Sequence, residues 1–171
     1  MEEPRVQLFP PQRPEGFRPA GEVSAAYFSL PPAIVKQRYT GSRLLGVKYE
    51  KKVQEHLGQL YGEAYLANPW FCFWADGRKR WCQPDGLLLD FIAGTITIVE
   101  VKYQHTALAW WQTTQLYLPV LQKLFPERLW RFCFCEVTKW FDPAVQFPVE
   151  IVLAREINQR SLKYMVHIWK P

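Results

Sequence analysis

The chain has 171 residues, of which 49% are hydrophobic and 22% charged, a composition typical of one folded domain with a hydrophobic core. The net charge of +5 favours polyanionic partners, nucleic acid first. The absence of a long apolar run excludes a membrane-spanning helix, and the acidic, proline-rich start is no signal peptide, so we expect a cytoplasmic, reducing location and no membrane partner.

The N-terminal residues 1–42 are interpreted as a proline-rich arm, and residues 43–171 as the main domain. Seven of the 14 prolines lie in this arm. Because proline interrupts both helices and sheet ladders, we expect an extended segment with little regular structure. Its apolar residues, such as Phe17, Tyr27 and Phe28, indicate packing against the arm's own domain or against a second subunit of a homodimer. A flexible tail is the alternative.

Residues 43–61 predict the first helix, because Tyr49, Val53 and Leu60 follow helical spacing. Glu50 lies one turn before Val53, so its carboxylate can reach the edge of the buried face. A solvated carboxylate is the ordinary interpretation of such a residue. The carboxylates farther along the chain favour a functional one.

Residues 64–75 predict an aromatic strand that ends in a turn at Asp76-Gly77. The turn is followed by three basic residues and a tryptophan, Arg78, Lys79, Arg80 and Trp81. Three cations beside a tryptophan are typical of a surface that contacts a phosphate backbone, so we expect these basic side chains to bind DNA. An exposed loop kept soluble by its charge is the alternative.

Residues 81–92 and 95–103 predict two strands joined by a tight turn. Pro84 has no backbone N–H to give to a sheet ladder, so it has to occupy an edge or a bulge that bends the strand at Asp85. Asp90 is interpreted as a surface or salt-bridged carboxylate, because its spacing is less favourable than that of Asp85.

The second of these strands changes from apolar to ionic along one face. Glu100 and Lys102 are two residues apart, so both point to the face that carries Ile96 and Ile98. Charged groups in a core strand are costly unless they are paired or bind a metal ion. The pattern is typical of a site at the open end of a sheet whose middle is core.

Residues 106–125 predict a second, largely buried helix, which Pro119 should kink or shift. Gln112 and Gln115 are the polar residues of its first half. We expect one of them to point back to the site and contact DNA, and the polar edge of a helix is the alternative. His105, just before this helix, is interpreted as a structural histidine.

Residues 128–138 predict a further strand, and residues 148–154 and 162–170 predict two more at the C-terminal end. The order is therefore helix, three strands, helix, strand and then the extra strands. This order indicates an α/β domain with a mixed central sheet.

The charged residues fit the chemistry of phosphodiester hydrolysis, which needs a positioned water and neutralisation of the phosphate charge. Mg²⁺ does both, and it prefers oxygen ligands such as one or two carboxylates. We expect Asp85, Glu100 and the Val101 carbonyl to bind it. We expect Lys102 to orient or help deprotonate the attacking water, and Glu50 to hold a second ion or a water.

The Pro84-Asp85 pair, fourteen further residues and then Glu100-Val101-Lys102 resemble the motif of the PD-(D/E)xK nuclease superfamily. The helix before it, with the sequence GVKYEKKV, is similar to the acidic first-helix motif of many members, including archaeal Holliday junction resolvases. The order of elements resembles the family's αβββαβ core. The resemblance implies the restriction-endonuclease-like fold and a deoxyribonuclease dependent on Mg²⁺ or Mn²⁺. It also implies cleavage that leaves a 5′-phosphate, with the motif's aspartate, glutamate and lysine as catalytic residues.

The second helix departs from one branch of this superfamily. RecB-type and phage-lambda-type exonucleases often carry a Gln and, four residues on, a Tyr in this helix. Here Gln115 is followed by Tyr117, two residues on, and Gln112 by Leu116. The pattern is not met, so the choice between endo- and exonuclease stays open.

Two other interpretations remain. The chain is alternatively a non-catalytic nucleic-acid-binding or assembly module on the same fold, in which the arm, the basic turn and the eight Trp matter most. The aromatic residues either fill the core, which is the default, or offer surfaces on which bases stack. The four cysteines are best explained as small buried hydrophobes, with a zinc site as the weaker alternative: Cys72, Cys82, Cys133 and Cys135.

Overall fold

The computed structural model describes residues 12–33, 36–140, 150–154 and 161–171. Its α-helices are α1 (Gly41–Tyr61), α2 (Ala107–Trp111) and α3 (Leu118–Leu124), with a 3₁₀ segment at Gly62–Ala64 and a π-helical segment at Gln112–Tyr117. Its strands are β1 (Val23–Ser29), β2 (Tyr65–Ala67), β3 (Trp70–Ala75), β4 (Arg78–Cys82), β5 (Gly86–Asp90), β6 (Thr95–Gln104), β7 (Arg131–Trp140), β8 (Glu150–Ala154) and β9 (Ser161–Ile168). Among these residues, no helix is long and apolar enough to cross a membrane.

A six-stranded central sheet, in the order β2-β5-β6-β7-β9-β8, forms the middle of the molecule. The pairs β6–β7 and β7–β9 are parallel, and the other pairs are antiparallel. The predicted α/β architecture with a mixed central sheet is therefore confirmed. The two strands predicted at the C-terminal end are β8 and β9, which form an antiparallel pair on the far side of β7.

A second, three-stranded antiparallel sheet in the order β1-β3-β4 changes two of the predicted strands. The sequence predicts one strand for each of the segments 64–75 and 81–92. In the structure each segment divides into two strands, one in each of the two sheets. The first breaks at Asn68, whose φ is 50°, just before a proline. The second breaks at Pro84, which has no N–H for a ladder. The Asn68 N–H donates to the Asp85 carbonyl at 2.9 Å, so the two breaks are bonded together.

The central sheet is covered on both faces because its strands are apolar on both. Val99 and Val101 pack beneath α1 with Tyr49 and Val53. The opposite face of β6 joins the main core together with α2, α3 and the inner face of the small sheet. Period-two alternation in β6 thus sends neighbouring side chains into two different apolar clusters.

The arm is more regular than expected, because residues 23–29 form β1 and pair with β3. None of the chain's prolines falls inside β1, so its ladder is uninterrupted. The described part of the arm packs on its own domain: Ala20 is buried, and its N–H donates to the Gln115 carbonyl at 2.9 Å. Residues 1–11 and 34–35 lie outside the described part, and a homodimer through the arm stays a prediction.

The second helix runs close to its predicted bounds, from Ala107 to Leu124, but its turns are not uniform. The six residues Gln112–Tyr117 adopt the wider π-helical turn, and Pro119 follows at the start of α3. A proline at this position cannot donate to a carbonyl one α-turn earlier, so irregular turns before it are expected. The wider turn also changes which side chains face the sheet.

Candidate functional site

Asp85 lies at the bend between β4 and β5, where Pro84 interrupts the strand as expected. Its Oδ2 accepts the backbone N–H of Val101 at 2.6 Å. The Asp85 carbonyl also accepts the side-chain amide of Gln54 at 2.6 Å. Side chain and main chain are therefore both held, and the carboxylate is fixed against the middle of β6.

Glu100 and Lys102 form an ion pair on the face of β6 that points toward the second helix. The Lys102 Nζ donates to Glu100 Oε1 at 2.7 Å, and the Glu100 side chain is 2% exposed. The second carboxylate oxygen, Oε2, is buried and has no hydrogen-bond partner. A buried, unpartnered carboxylate oxygen is costly, so it is a natural ligand for a cation.

Of the two glutamines, only Gln112 extends its side chain to the site. Its Oε1 accepts a second hydrogen bond from the Lys102 Nζ at 2.8 Å. Gln115 instead gives its carbonyl to the N–H of Ala20, and its side-chain amide lies 3.5 Å from the hydroxyl of Thr114. Lys102 is therefore held between Glu100 and Gln112, while Gln115 helps to attach the arm.

Glu50 approaches the same place from α1, on the other face of the sheet. Burial first, and the charge of Asp85 second, raise the pKa of Glu50 to about 7, while the charge of Lys102 opposes the rise. Gln54, whose amide donates to the Asp85 carbonyl, also hydrogen-bonds the Glu50 side chain, so the structure brings Glu50 beside the site. Gln54, one turn later, was missed by sequence reasoning, although its spacing from Glu50 places both on one helix face.

The carboxyl groups have elevated proton affinity. Burial, and next the charge of Asp85, raise the pKa of Glu100 to about 8. Burial also raises the pKa of Asp85, against the opposing effects of the Val101 N–H and of Lys102. Burial alone would lower the pKa of Lys102, but the charge and hydrogen bond of Glu100 outweigh it and raise it. Burial, the largest cause for all three carboxyl groups, thus disfavours their charged forms.

The donors fit a hard divalent cation in number and type, although the described residues contain no group of three or more His, Cys, Asp or Glu side chains that could hold a metal ion. Mg²⁺ needs only one or two carboxylates, with water and substrate oxygens as its other ligands. Asp85 and the free oxygen of Glu100 supply these. The Val101 carbonyl points to the same side of β6 as its N–H, that is, toward Asp85.

The β5–β6 ladder ends at the pair of Gly86 with Val99, so this pairing does not extend to Pro84 or to Val101. The Val101 N–H is bonded by the Asp85 side chain instead.

A second buried cluster of polar side chains, centred on Glu136, lies on the neighbouring strand β7. This cluster was not predicted from the sequence. Glu136, 0% exposed, pairs in register with Glu100. Its Oε1 lies 2.8 Å from the His105 Nδ1, and its Oε2 accepts the hydroxyl of Tyr164 at 2.8 Å. Strand alternation could have found it, because position 136 shares its face with the core phenylalanines Phe132 and Phe134.

The basic turn divides into two parts. Arg78 and Lys79 are exposed. The guanidinium of Arg80 donates to the carbonyls of Pro19 and Ala20 at 2.9 and 3.3 Å, and its charge lies 5.0 Å from the ring centre of Phe73. Arg80 is therefore engaged in holding the arm, and only the first two basic side chains are presented to solvent.

The cysteines behave as small apolar side chains. All four are thiols outside any disulfide, and burial raises the pKa of Cys82 and of Cys135 to about 12, so both stay protonated. Cys72 and Cys82 lie in the small sheet, whereas Cys133 and Cys135 lie in the central one. The zinc interpretation has no cluster to support it within the described residues.

Comparison of the chain with protein-family models, with curated proteins and with solved structures gives no match.

Proposed function

We propose that this protein is a metal-dependent deoxyribonuclease with a restriction-endonuclease-like core, whose chemistry is performed by Asp85, Glu100 and Lys102. The observation that carries the proposal is the lysine held at 2.7 Å from Glu100, on the strand whose backbone binds Asp85. The order α1, strands, second helix and β7 is consistent with the αβββαβ core that the motif resembles.

A divalent cation held by Asp85, Glu100 and the Val101 carbonyl would supply neutralisation of the phosphate and activation of water. Lys102 orients the attacking water and stabilises the charge that develops on the phosphate. Gln112 and Glu100 restrict the lysine to one position, which lowers the entropic cost of reaching the reactive arrangement. Glu50 orients a water or holds a second ion. By the resemblance, the product carries a 5′-phosphate.

The test is a cleavage assay on linear, circular, single-stranded and branched DNA with Mg²⁺ or Mn²⁺, run beside chelator. We expect cleavage that needs the metal and that Lys102→Ala reduces by about 10²-fold or more. Lys123→Ala, which removes an exposed lysine of α3, is the matched control. A wild-type protein that cuts no form of DNA with either metal would refute the proposal.

A second candidate function is a non-catalytic nucleic-acid-binding or assembly module on the same core. It is favoured by the exposed Arg78 and Lys79 beside the exposed rings of the small sheet. Under this alternative, DNA binding is salt-sensitive and unchanged by chelator, and no cleavage is found.

A further inference from the structure

The outer face of the small sheet carries large aromatic side chains that the core does not use. Tyr27 of β1 is 57% exposed, Trp74 of β3 is 42% exposed and Trp81 of β4 is 40% exposed. On the inner face of the same sheet Phe71 and Phe73 are 0% exposed, while Phe28 on the edge strand β1 is 53% exposed. The sheet is therefore anchored by one aromatic face and leaves a second one in solvent, which is typical of a binding surface.

The strand register brings these rings together. Cys72 pairs with Tyr27 on one side and with Trp81 on the other, so the two rings flank a small side chain in one row across the sheet. In the next row Trp74 pairs with Lys79. Paired residues of antiparallel strands share a face, so all five side chains point outward together.

The charge that β1, β3 and β4 place on this face is positive. The Lys79 Nζ lies 5.1 Å from the ring centre of Trp81, whereas Arg78, one residue earlier, pairs with Ala75 and belongs to the other face. Within β1, β3 and β4, all of which the structure describes, there is no carboxylate. Flat rings beside a cation fit a partner that alternates planar apolar groups with negative charges, as a nucleic-acid strand does.

We propose that this aromatic face, defined by Tyr27, Trp74, Lys79 and Trp81, binds unpaired nucleotides. Bases stack on the rings while Lys79 contacts the phosphates. The partner is single-stranded because the faces of paired bases are already stacked inside a duplex and cannot reach a protein ring.

The face is connected to the candidate site by the chain itself. β4 carries Trp81 outward and then leads through Pro84 to Asp85, four residues farther on, a span of at most about 13 Å in extended backbone. A strand bound on the aromatic face can therefore continue into the site. This step, which makes DNA with a single-stranded segment the substrate class, rests on the proposed function, whereas binding by the face does not.

The test measures binding in chelator, so that cleavage plays no part. Fluorescence anisotropy of a labelled oligothymidylate and of a matched blunt duplex is recorded with the full chain. We expect the single strand to bind at least about tenfold more tightly than the duplex, and Trp74→Ala and Trp81→Ala each to weaken it by about tenfold. Trp81→Phe, which keeps a ring for stacking, retains most of the affinity.

Tyr61→Ala is the matched control, since Tyr61 is a comparably exposed ring (43%) on α1, away from the small sheet; we expect unchanged binding. Thermal unfolding of each variant establishes that it is folded. Equal affinity for duplex and single strand, or unchanged single-strand binding by the Trp74→Ala/Trp81→Ala double variant, overturns the proposal. A protein that binds the single strand through these rings but never cuts DNA refutes the nuclease and leaves the face standing.

Discussion

Asp85 and Val101 are joined by a hydrogen bond of 2.6 Å from the Val101 backbone N–H to the Asp85 carboxylate. The bond links the loop after β4 to the centre of β6. It explains why an aspartate immediately after Pro84 ends beside a Glu-x-Lys sequence fifteen residues later in the chain. Accepting this hydrogen bond requires only an oxygen atom at position 85, whereas binding a cation requires the negative charge as well.

The first prediction concerns the charge of Asp85. Asp85→Asn keeps an oxygen that can accept the Val101 N–H but removes the negative charge that a cation needs. We expect a folded protein whose cleavage rate falls by about 10²-fold or more, the size of effect found when one group that stabilises the transition-state charge is removed. Metal-dependent cleavage and thermal unfolding are measured together.

Asp90→Asn is the matched control for this change. Asp90 is exposed and accepts the N–H groups of Ile92 and Ala93 at 3.1 and 2.9 Å, which an asparagine can also do. Its cleavage rate should be that of the wild type. Equal rates for the Asp85 and Asp90 variants would exclude Asp85 from the chemistry.

The second prediction concerns how Lys102 is held. Gln112→Ala removes one of its two hydrogen-bond partners but leaves Glu100 in place. We expect kcat to fall by about tenfold with little change in KM, because the loss affects the position of a catalytic group. Gln115→Ala is the control, as the side-chain amide of Gln115 is directed to the Thr114 hydroxyl. A larger effect of Gln115 would reverse the assignment of the two glutamines.

The site shows which parts of a structure sequence patterns can predict. Strand period placed Glu100 and Lys102 on one face, and helical spacing placed Glu50 near the buried edge; both depend on local geometry alone. The apolar pattern of the second helix predicted a disturbance at Pro119, but it did not reveal the π-helical turn before it and did not choose between Gln112 and Gln115.

The sequence also did not predict which sheet each strand joins. The segments 64–75 and 81–92 have the composition of single strands, and nothing local says that each half joins a different sheet. The cause is the paired interruption at Asn68 and Pro84, and its consequence is the small sheet with its exposed rings. Tertiary pairing, which is not encoded in any short window, decides such cases.

The third prediction follows from the raised pKa values of Glu50, about 7, and Glu100, about 8, against an ordinary 4.5. Between these values the folded chain binds more protons than the unfolded chain, so the free energy of unfolding falls as pH rises through the window from 4.5 to 8. A cation bound only by the folded state opposes that loss.

Denaturant unfolding in chelator at about pH 5.5 and about pH 8 tests this dependence. We expect lower stability at the higher pH, and recovery there on addition of Mg²⁺. The Glu50→Gln/Glu100→Gln double variant should show a flatter pH profile and little recovery. Stability that rises toward pH 8 in the wild type by more than in this variant would contradict the prediction.

The last prediction concerns the buried carboxylate of Glu136, which accepts the Tyr164 hydroxyl and lies 2.8 Å from the His105 ring nitrogen. Glu136→Ala leaves both groups without this partner in the core, and we expect the free energy of unfolding to fall by about 1–3 kcal/mol for each group left unsatisfied. Tyr164→Phe removes one hydrogen bond only, and we expect a smaller loss of about 0.5–1.5 kcal/mol. Glu55→Ala, at an exposed position of α1, should change stability by no more than about 0.5 kcal/mol.

Because Glu136 lies beside Glu100 in the sheet, denaturant unfolding is compared with metal-dependent cleavage by the folded Tyr164→Phe variant. If Glu136 has a structural role, the Tyr164→Phe variant is less stable but cleaves DNA at a rate near that of the wild type. A large loss of cleavage by the folded variant would instead place Glu136 in the chemistry.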